Sequence, residues 1–591
     1  MRVRATAFIP LLAAAALIAS CSGGGSDPSP PMPVEEMQPP APQPAPQSPP
    51  PPTTPPPTTT PPTTARSTTI VDDAVESSGF LALATFGASL EDTAAVVGVD
   101  RTDWLRAEFD KPFRSHLDEM IAKETRGDQL SVREHSHLFW RDAIDADDQL
   151  RQRMVFALSQ VIVISSGVGA ENTKSTAYYR DILARHAFGN YRDLLEDITY
   201  SHAMAQYLTY LNNRKGDERS GRTPDENYAR EIMQLFTIGV VELNADGTPK
   251  LNALGQPIET YDNEDVVGLA KVFTGLGRLG TDFKNSDPGS RYAPLKIFPG
   301  EHSPLEKRFL GTTIPQSTDA ARSIDLALDT LINHPNTPPF IARQLIQRFT
   351  RSSPSPDYVS RVADAFATGR FEAQNGAVFG TGRRGDLEAM LAAILLDEEA
   401  DASGPDSAKI REPILRFVHW ARAFDVTNAD AENEQQLRST ADPIKSLGQQ
   451  PLGAPSVFNF YRPGYIAPDS ETGARGLTAP EFQIVNEAAT VGYANFMFDF
   501  VFNRTSATNG NLRTFEPDYS DEIALAADPG ALADRLDLIL LGGRMLPETR
   551  GAIVEAVSAM PLEGGNDSDA VDRAKLAVLI AVLSPEFAID P

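Results

Sequence analysis

The chain has 591 residues, 53 Lys and Arg against 80 Asp and Glu, a net charge of −27, and a single cysteine. That length buries enough surface for packing alone to hold a fold, and one thiol permits neither an internal disulfide nor a thiolate metal site. The acidic excess repels phosphate backbones and argues against a nucleic-acid partner, while serving equally well as an ordinary solubility device.

Residues 1–20 read as an export signal. Arg2 and Arg4 form a basic start, and an apolar run from Ala5 to Ser20 follows that is too short to span a bilayer as a mature helix. Ile18-Ala19-Ser20-Cys21 resembles a bacterial lipobox, which implies lipidation of Cys21 after cleavage behind Ser20; an ordinary signal peptide cut nearby is the alternative. Ser22, rather than Asp, behind Cys21 points to the outer membrane. Residues 21–68 read as a Pro/Thr-rich tether, because a tract such as Pro49 to Thr64 cannot bury a core and favours extended, semi-rigid chain. Membrane attachment is therefore expected through the lipid alone.

From 69 to 591 the periodicity predicts a mainly α fold: one large multi-helical domain with a small β-hairpin excursion and long ordered loops. Arg151 to Ile164 is apolar nearly all round after its first turn and predicts a central buried helix. Two helices are expected between Tyr178 and Leu211, broken near Gly189-Asn190. One more is expected over 225–239, with Thr223 as N-cap, Pro224 at the first position and Gly239 near the end. Val241 to Leu243 and Ile258 to Thr260 flank turn signals at Asp246-Gly247 and Gly255, which predicts the hairpin. Further helices are expected at 263–275, 319–333, 337–351, 356–368, 385–397, 411–425, 480–503, 529–540, 546–559 and 568–584. The segments 276–318 and 449–479 read as long loops rich in Gly, Pro and aromatics.

Chemistry-bearing residues gather on the 225–239 helix. Asn227, Arg230, Glu231 and Gln234 recur at i, i+3, i+4 and i+7 and share one face. That face is either solvated or turned toward a polar cavity in which Arg230 recognises an anion and Glu231 acts as a base. Asp262 and Asp265 open the next helix in a capping arrangement, with hard-cation binding as the rival reading. His302, in a Pro/Gly loop, is the histidine best placed for a site. The candidate catalytic residues are thus Glu231, Arg230 and His302, and the candidate binding residues Asn227, Gln234, Asp262 and Asp265. His135 and His137 open a helix, where i and i+2 point apart, so no metal is expected there, nor any cofactor. No Gly-x-Ser-x-Gly, phosphate-loop or dinucleotide fingerprint occurs, so no motif supports a serine nucleophile. The aromatic run Phe458 to Tyr465 either stacks on a sugar or peptide or pins its loop to the core.

Glu226 to Val240 resembles the signature of the bacterial family catalogued as domain of unknown function 1800. Similar blocks follow in order: Tyr261 to Leu276, His302 to Gly311, His334 to Phe349, Lys409 to Phe424, Pro451 to Phe460 and Ser584 to Phe587, with Phe80 to Gly87 preceding them. The chain departs at Phe236, where the family often has His, and at Ser303, where it often has Asp. The resemblance implies export and a mostly helical fold, and it points to no particular activity. The expected function is an envelope lipoprotein that binds or assembles with an unknown envelope protein or polysaccharide. An exported hydrolase built on the Asn227-Arg230-Glu231 face, and carbohydrate or peptidoglycan binding through the aromatic loops, are the alternatives.

Overall fold

The Gln149–Val161 helix sits at the middle of the molecule, and every one of its residues except Ser159 is buried. Its apolar residues make this possible, but five long polar side chains are buried with them and each must find a partner. Arg151 donates to the carbonyls of Ala184 (3.1 Å) and Lys111 (2.8 Å), and Gln160 donates to Glu412 (2.8 Å). Around this helix pack Arg101–Asp110, Glu134–Asp145, Ala170–Arg185 and Thr337–Phe349. The computed structural model describes residues 70–165, 170–402, 408–428, 437, 439–502, 515–562 and 567–590. Cys21 and the segments expected to be an export signal and a tether lie outside them.

The described residues form 23 α-helices and four two-stranded antiparallel sheets, a mainly α fold. Two apolar clusters make the core. One gathers residues from Val71 to Leu395; the other joins Phe86, Trp140 and Phe156 to the aromatic helices Pro413–Ala423 and Glu487–Val501 and the C-terminal helices. The central helix feeds both, with Met154 and Leu158 in the first and Phe156 in the second.

Several predicted helix starts hold because their caps hold. Asp319 accepts from Arg322 N (3.0 Å) to start Ala320–Asn333, and Asp386 accepts from Ala389 N (2.9 Å) to start Leu387–Leu395. Pro413 begins Pro413–Ala423, where its missing amide costs no bond.

Other boundaries move. Tyr178 to Leu211 contains three helices, the end of Ala170–Arg185, then Tyr191–Thr199 and His202–Tyr207, because Ser201 caps the third and breaks what periodicity alone joins. The helix expected over 225–239 is only Asn227–Gln234. Asn213 clamps Asp225, accepting from its amide (2.9 Å) and donating to its carbonyl (3.3 Å), so Thr223 and Pro224 stay outside. At the other end the amides of Ile238 and Gly239 both reach back to Met233 O, with Gly239 at φ 72°, a left-handed closure suited to glycine. The 480–503 helix resolves into a 3-10 turn, Pro480–Gln483, and then Glu487–Val501. The 529–540 helix is Pro529–Leu536 followed by a π turn, Asp537–Leu541.

The hairpin excursion is present, folded twice: bridges pair Val241 with Glu259, Leu243 with Pro249 and Leu251 with Pro257. The 276–318 loop is also ordered by pairing, Leu276–Gly277 against Lys296–Ile297 and Lys307–Phe309 against Thr312–Ile314.

Candidate functional site

The four residues predicted to share a helix face meet different surroundings. Arg230 is at the surface and pairs with Glu226 at 3.4 Å, one turn back. Asn227 donates weakly to Thr209 Oγ1 (3.4 Å), and Gln234 Oε1 accepts from the Tyr261 hydroxyl (3.0 Å). Glu231 alone is buried, 7% exposed, and its Oε2 has no hydrogen-bond partner. Burial raises its pKa above the usual glutamate value, and the neighbouring Arg230 offsets this only in part.

Asp262 and Asp265 form a reciprocal capping box on Asn263–Ala270. Asp262 accepts from the amides of Glu264 (2.7 Å) and Asp265 (3.1 Å). Asp265 accepts from Asp262 N (3.0 Å) and, with its other oxygen, from Leu310 N (2.6 Å). Both carboxylates are thereby engaged by backbone amides, and Asp265 staples the helix to the following hairpin.

His302 is buried, its Nδ1 facing Thr274 O at 2.9 Å and Thr274 Oγ1 at 3.3 Å. Burial lowers its pKa, and the nearby Lys307 lowers it further. Lys307 is itself fully buried and donates to the carbonyls of Ser303 (3.0 Å) and Leu305 (3.3 Å), its pKa lowered to about 8 by burial and by Lys271. No hydrogen bond or ion pair joins Glu231 to His302.

Glu231 permits a test of whether its burial is a cost to the fold. Its carboxyl holds a proton more tightly folded than unfolded, so wild-type stability falls as pH rises through the raised value. Glu231→Gln lacks that loss. The variant is expected to be the more stable at neutral pH, with the gap closing as pH drops below the ordinary carboxylate range. Urea midpoints across that interval measure it; a variant less stable than wild type at neutral pH would show that the ionised carboxylate holds the fold together.

The aromatic loop is tied inward. Tyr461 is buried and donates to Gln160 Oε1 at 2.8 Å, and Gln347 donates to Pro463 O at 2.9 Å. Phe458 is half exposed beneath the Arg462 guanidinium, 4.7 Å from the ring centre. The loop closes over a buried polar centre in which Glu412 accepts from both Gln160 and Gln449, beside the buried Arg153 and Arg348.

A cleft of about 860 Å³ opens elsewhere, where the Ala74–Ala84, Leu90–Val96 and Arg101–Asp110 helices meet the 144–149 turn and the end of Pro413–Ala423. Asp92, Glu108, Asp145, Asp147 and Asp425 line it against two cations, Lys111 and Arg422. Both cations are engaged. Lys111 bonds to Glu108 and to Asp147 O, and Arg422 donates to Gly87 O (2.7 Å), Asp92 (2.7 Å) and the Ile144 carbonyl (2.5 Å).

The surplus is felt by the carboxyl groups. Asp425 has a raised pKa from burial and then from Asp518, Asp92 and Glu91, which Arg422 does not cancel. Glu108 is raised by burial despite Lys111. Trp104 stands in the wall. Sequence reasoning passed over these residues because they come from two stretches, 81–149 and 421–427, that lie far apart in the chain, and no local spacing marks them.

No group of three or more His, Cys, Asp or Glu side chains placed to hold a metal ion occurs among the described residues. No helix there is long and apolar enough to cross a membrane. Neither a curated protein nor a solved structure matches the chain. One family model does, described as a protein of unknown function, DUF1800, and it spans residues 80–589, nearly all of the helical body. The predicted blocks from Phe80 to Phe587 fall inside that match, and by it the chain belongs to the DUF1800 family.

Proposed function

We propose that this protein is a lipid-anchored envelope protein whose helical body binds a cationic ligand, an amine or guanidinium group, in the acidic cleft. The cleft carries the reading: a concave site of about 860 Å³ with five carboxylates against two cations that are already paired. Low-dielectric walls concentrate the field of these charges on whatever enters, and the surplus is negative.

Trp104 provides the measurement, since Trp140 and Trp420, the other two tryptophans, are fully buried. Spermidine titrated into the protein is expected to change the tryptophan emission saturably. Asp425→Asn is expected to weaken that binding at least ~5-fold, about 1 kcal/mol. Asp425 has φ 43°, which Asn tolerates, so the substitution removes charge and leaves the shape. Emission that does not change, or equal affinity for wild type and variant, would reject the cleft as the ligand site.

The address rests on the basic start, the apolar run and Ile18-Ala19-Ser20-Cys21, followed by a spacer able to hold a body off a membrane surface. Cys21→Ser is expected to move the protein from the membrane fraction to the soluble one. Continued membrane association of the variant would refute the lipid anchor.

A further inference from the structure

Ser175 and His202 form a hydrogen-bonded pair in a second pocket. Ser175 lies near the start of Ala170–Arg185, and His202 is the first residue of His202–Tyr207, two helices that pack together. Their Oγ and Nδ1 atoms are 3.0 Å apart, and both side chains are nine-tenths buried or more, at 3% and 2% exposure. Ser175 opens on a cavity of about 220 Å³ whose wall also includes Ser165, Asn172, Gln206 and Tyr207.

A hydroxyl is a weak nucleophile until a base in contact takes its proton, and a serine–imidazole contact of this length is the arrangement that does so. We infer that Ser175 and His202 are the nucleophile and base of an acyl-transfer site that hydrolyses short-chain esters.

Burial lowers the His202 pKa to about 4, with Arg278 and Arg291 adding to the effect, so at neutral pH the ring is uncharged and offers a nitrogen lone pair, as a weak base. With the ring proton on Nε2, Nδ1 accepts from Ser175. Tyr207, in the same wall, has its pKa raised by burial and by Glu231, so its hydroxyl stays protonated.

Ser175 Oγ bonds to the ester carbonyl carbon as its proton passes to His202. The tetrahedral adduct collapses, breaking the bond to the alcohol, which leaves with that proton. Water then attacks the acyl-serine, giving its own proton to His202, and the acid departs as the serine is reprotonated. Atoms balance with water as the only co-reactant. The cavity is small, which restricts the acyl group to a short one.

The site has no lining residue in common with the acidic cleft, so the two readings fail independently. The test is to treat the full-length protein with a fluorophosphonate and map the modified residue by peptide mass spectrometry, following p-nitrophenyl acetate hydrolysis in parallel. The expected result is one phosphonylated residue, Ser175. Labelling should be abolished in Ser175→Ala and slowed at least tenfold in His202→Gln, with ester hydrolysis falling alongside. Absence of label, label on another residue, or hydrolysis unchanged in Ser175→Ala overturns the proposal. The mapping on the unaltered protein decides the nucleophile even if His202→Gln does not fold.

Discussion

Lys409→Met is expected to destabilise the protein by about 3–5 kcal/mol, because it leaves the Glu481 carboxylate charged and alone in the interior. The two side chains are 1% and 0% exposed and pair directly. Their remaining polar atoms are also engaged: Lys409 Nζ donates to Ile410 O at 2.8 Å, and Glu481 accepts from Ser352 Oγ at 2.9 Å. Ser352 Oγ in turn accepts from Ile410 N at 2.9 Å, which closes the network on the strand that pairs Lys409 with Asp590. Removing the Lys409 charge takes away the ion pair and the bond to Ile410 O, and leaves the buried Glu481 with Ser352 in place of a cation.

Removing both removes the desolvation penalty as well. Lys409→Met with Glu481→Met is therefore expected to recover most of the loss, because a buried ion pair replaced by apolar groups of similar volume is often nearly neutral. Urea unfolding of wild type, the single variants and the double variant measures it. A single variant within about 1 kcal/mol of wild type would mean that water reaches the pair.

Gly268→Ala is the second change with a large expected effect, and its sign is the reverse of the usual one. In a helix interior alanine is ordinarily better than glycine by about 1 kcal/mol. Gly268 lies within Asn263–Ala270, where that helix packs on the Lys307–Phe309 strand. An added Cβ there meets the Arg308 carbonyl oxygen at 1.7 Å and its carbon at 2.7 Å. Both are backbone atoms in a paired strand and cannot swing aside as a side chain does. The expected loss is about 3 kcal/mol or more, the upper end of overpacking.

Gly551, inside Pro547–Ala559, is the control, since nothing lies within 4 Å of its added Cβ. Gly551→Ala is expected to stabilise by about 0.5–1 kcal/mol. The urea midpoints should move in opposite directions. If both variants are stabilised, the helix and strand are not in the close contact described.

Helix existence was legible in the sequence wherever period and cap agreed. Asp319 and Asp386 each stand before an apolar repeat, and each accepts the amide that its position predicts. The Asp262–Asp265 box was legible for the same reason, being a local exchange between residues three apart. The shortening of the 225–239 helix was not, because its start is decided by Asn213, a residue from another segment that clamps Asp225. The break at Ser201 was missed because serine reads equally well as a helix interior residue or a cap.

The candidate site divides along the same line. The i, i+3, i+4, i+7 spacing puts Asn227, Arg230, Glu231 and Gln234 on one side of the Asn227–Gln234 helix. Spacing carries no information about what lies opposite, and the structure puts Glu231 inside while Arg230 stays at the surface beside Glu226. A serine motif search finds nothing at Ser175, since its partner His202 is 27 residues on and in another helix.

By itself, then, the sequence determined the helical class, most helix positions, their caps and the family, because these depend on periodicity, on bonds between near neighbours and on ordered blocks of residues. Only the tertiary structure decided which polar residues face a cavity. Asp92 and Arg422 meet across 330 residues of chain, and the field in their cleft is set by helix packing that no local pattern encodes.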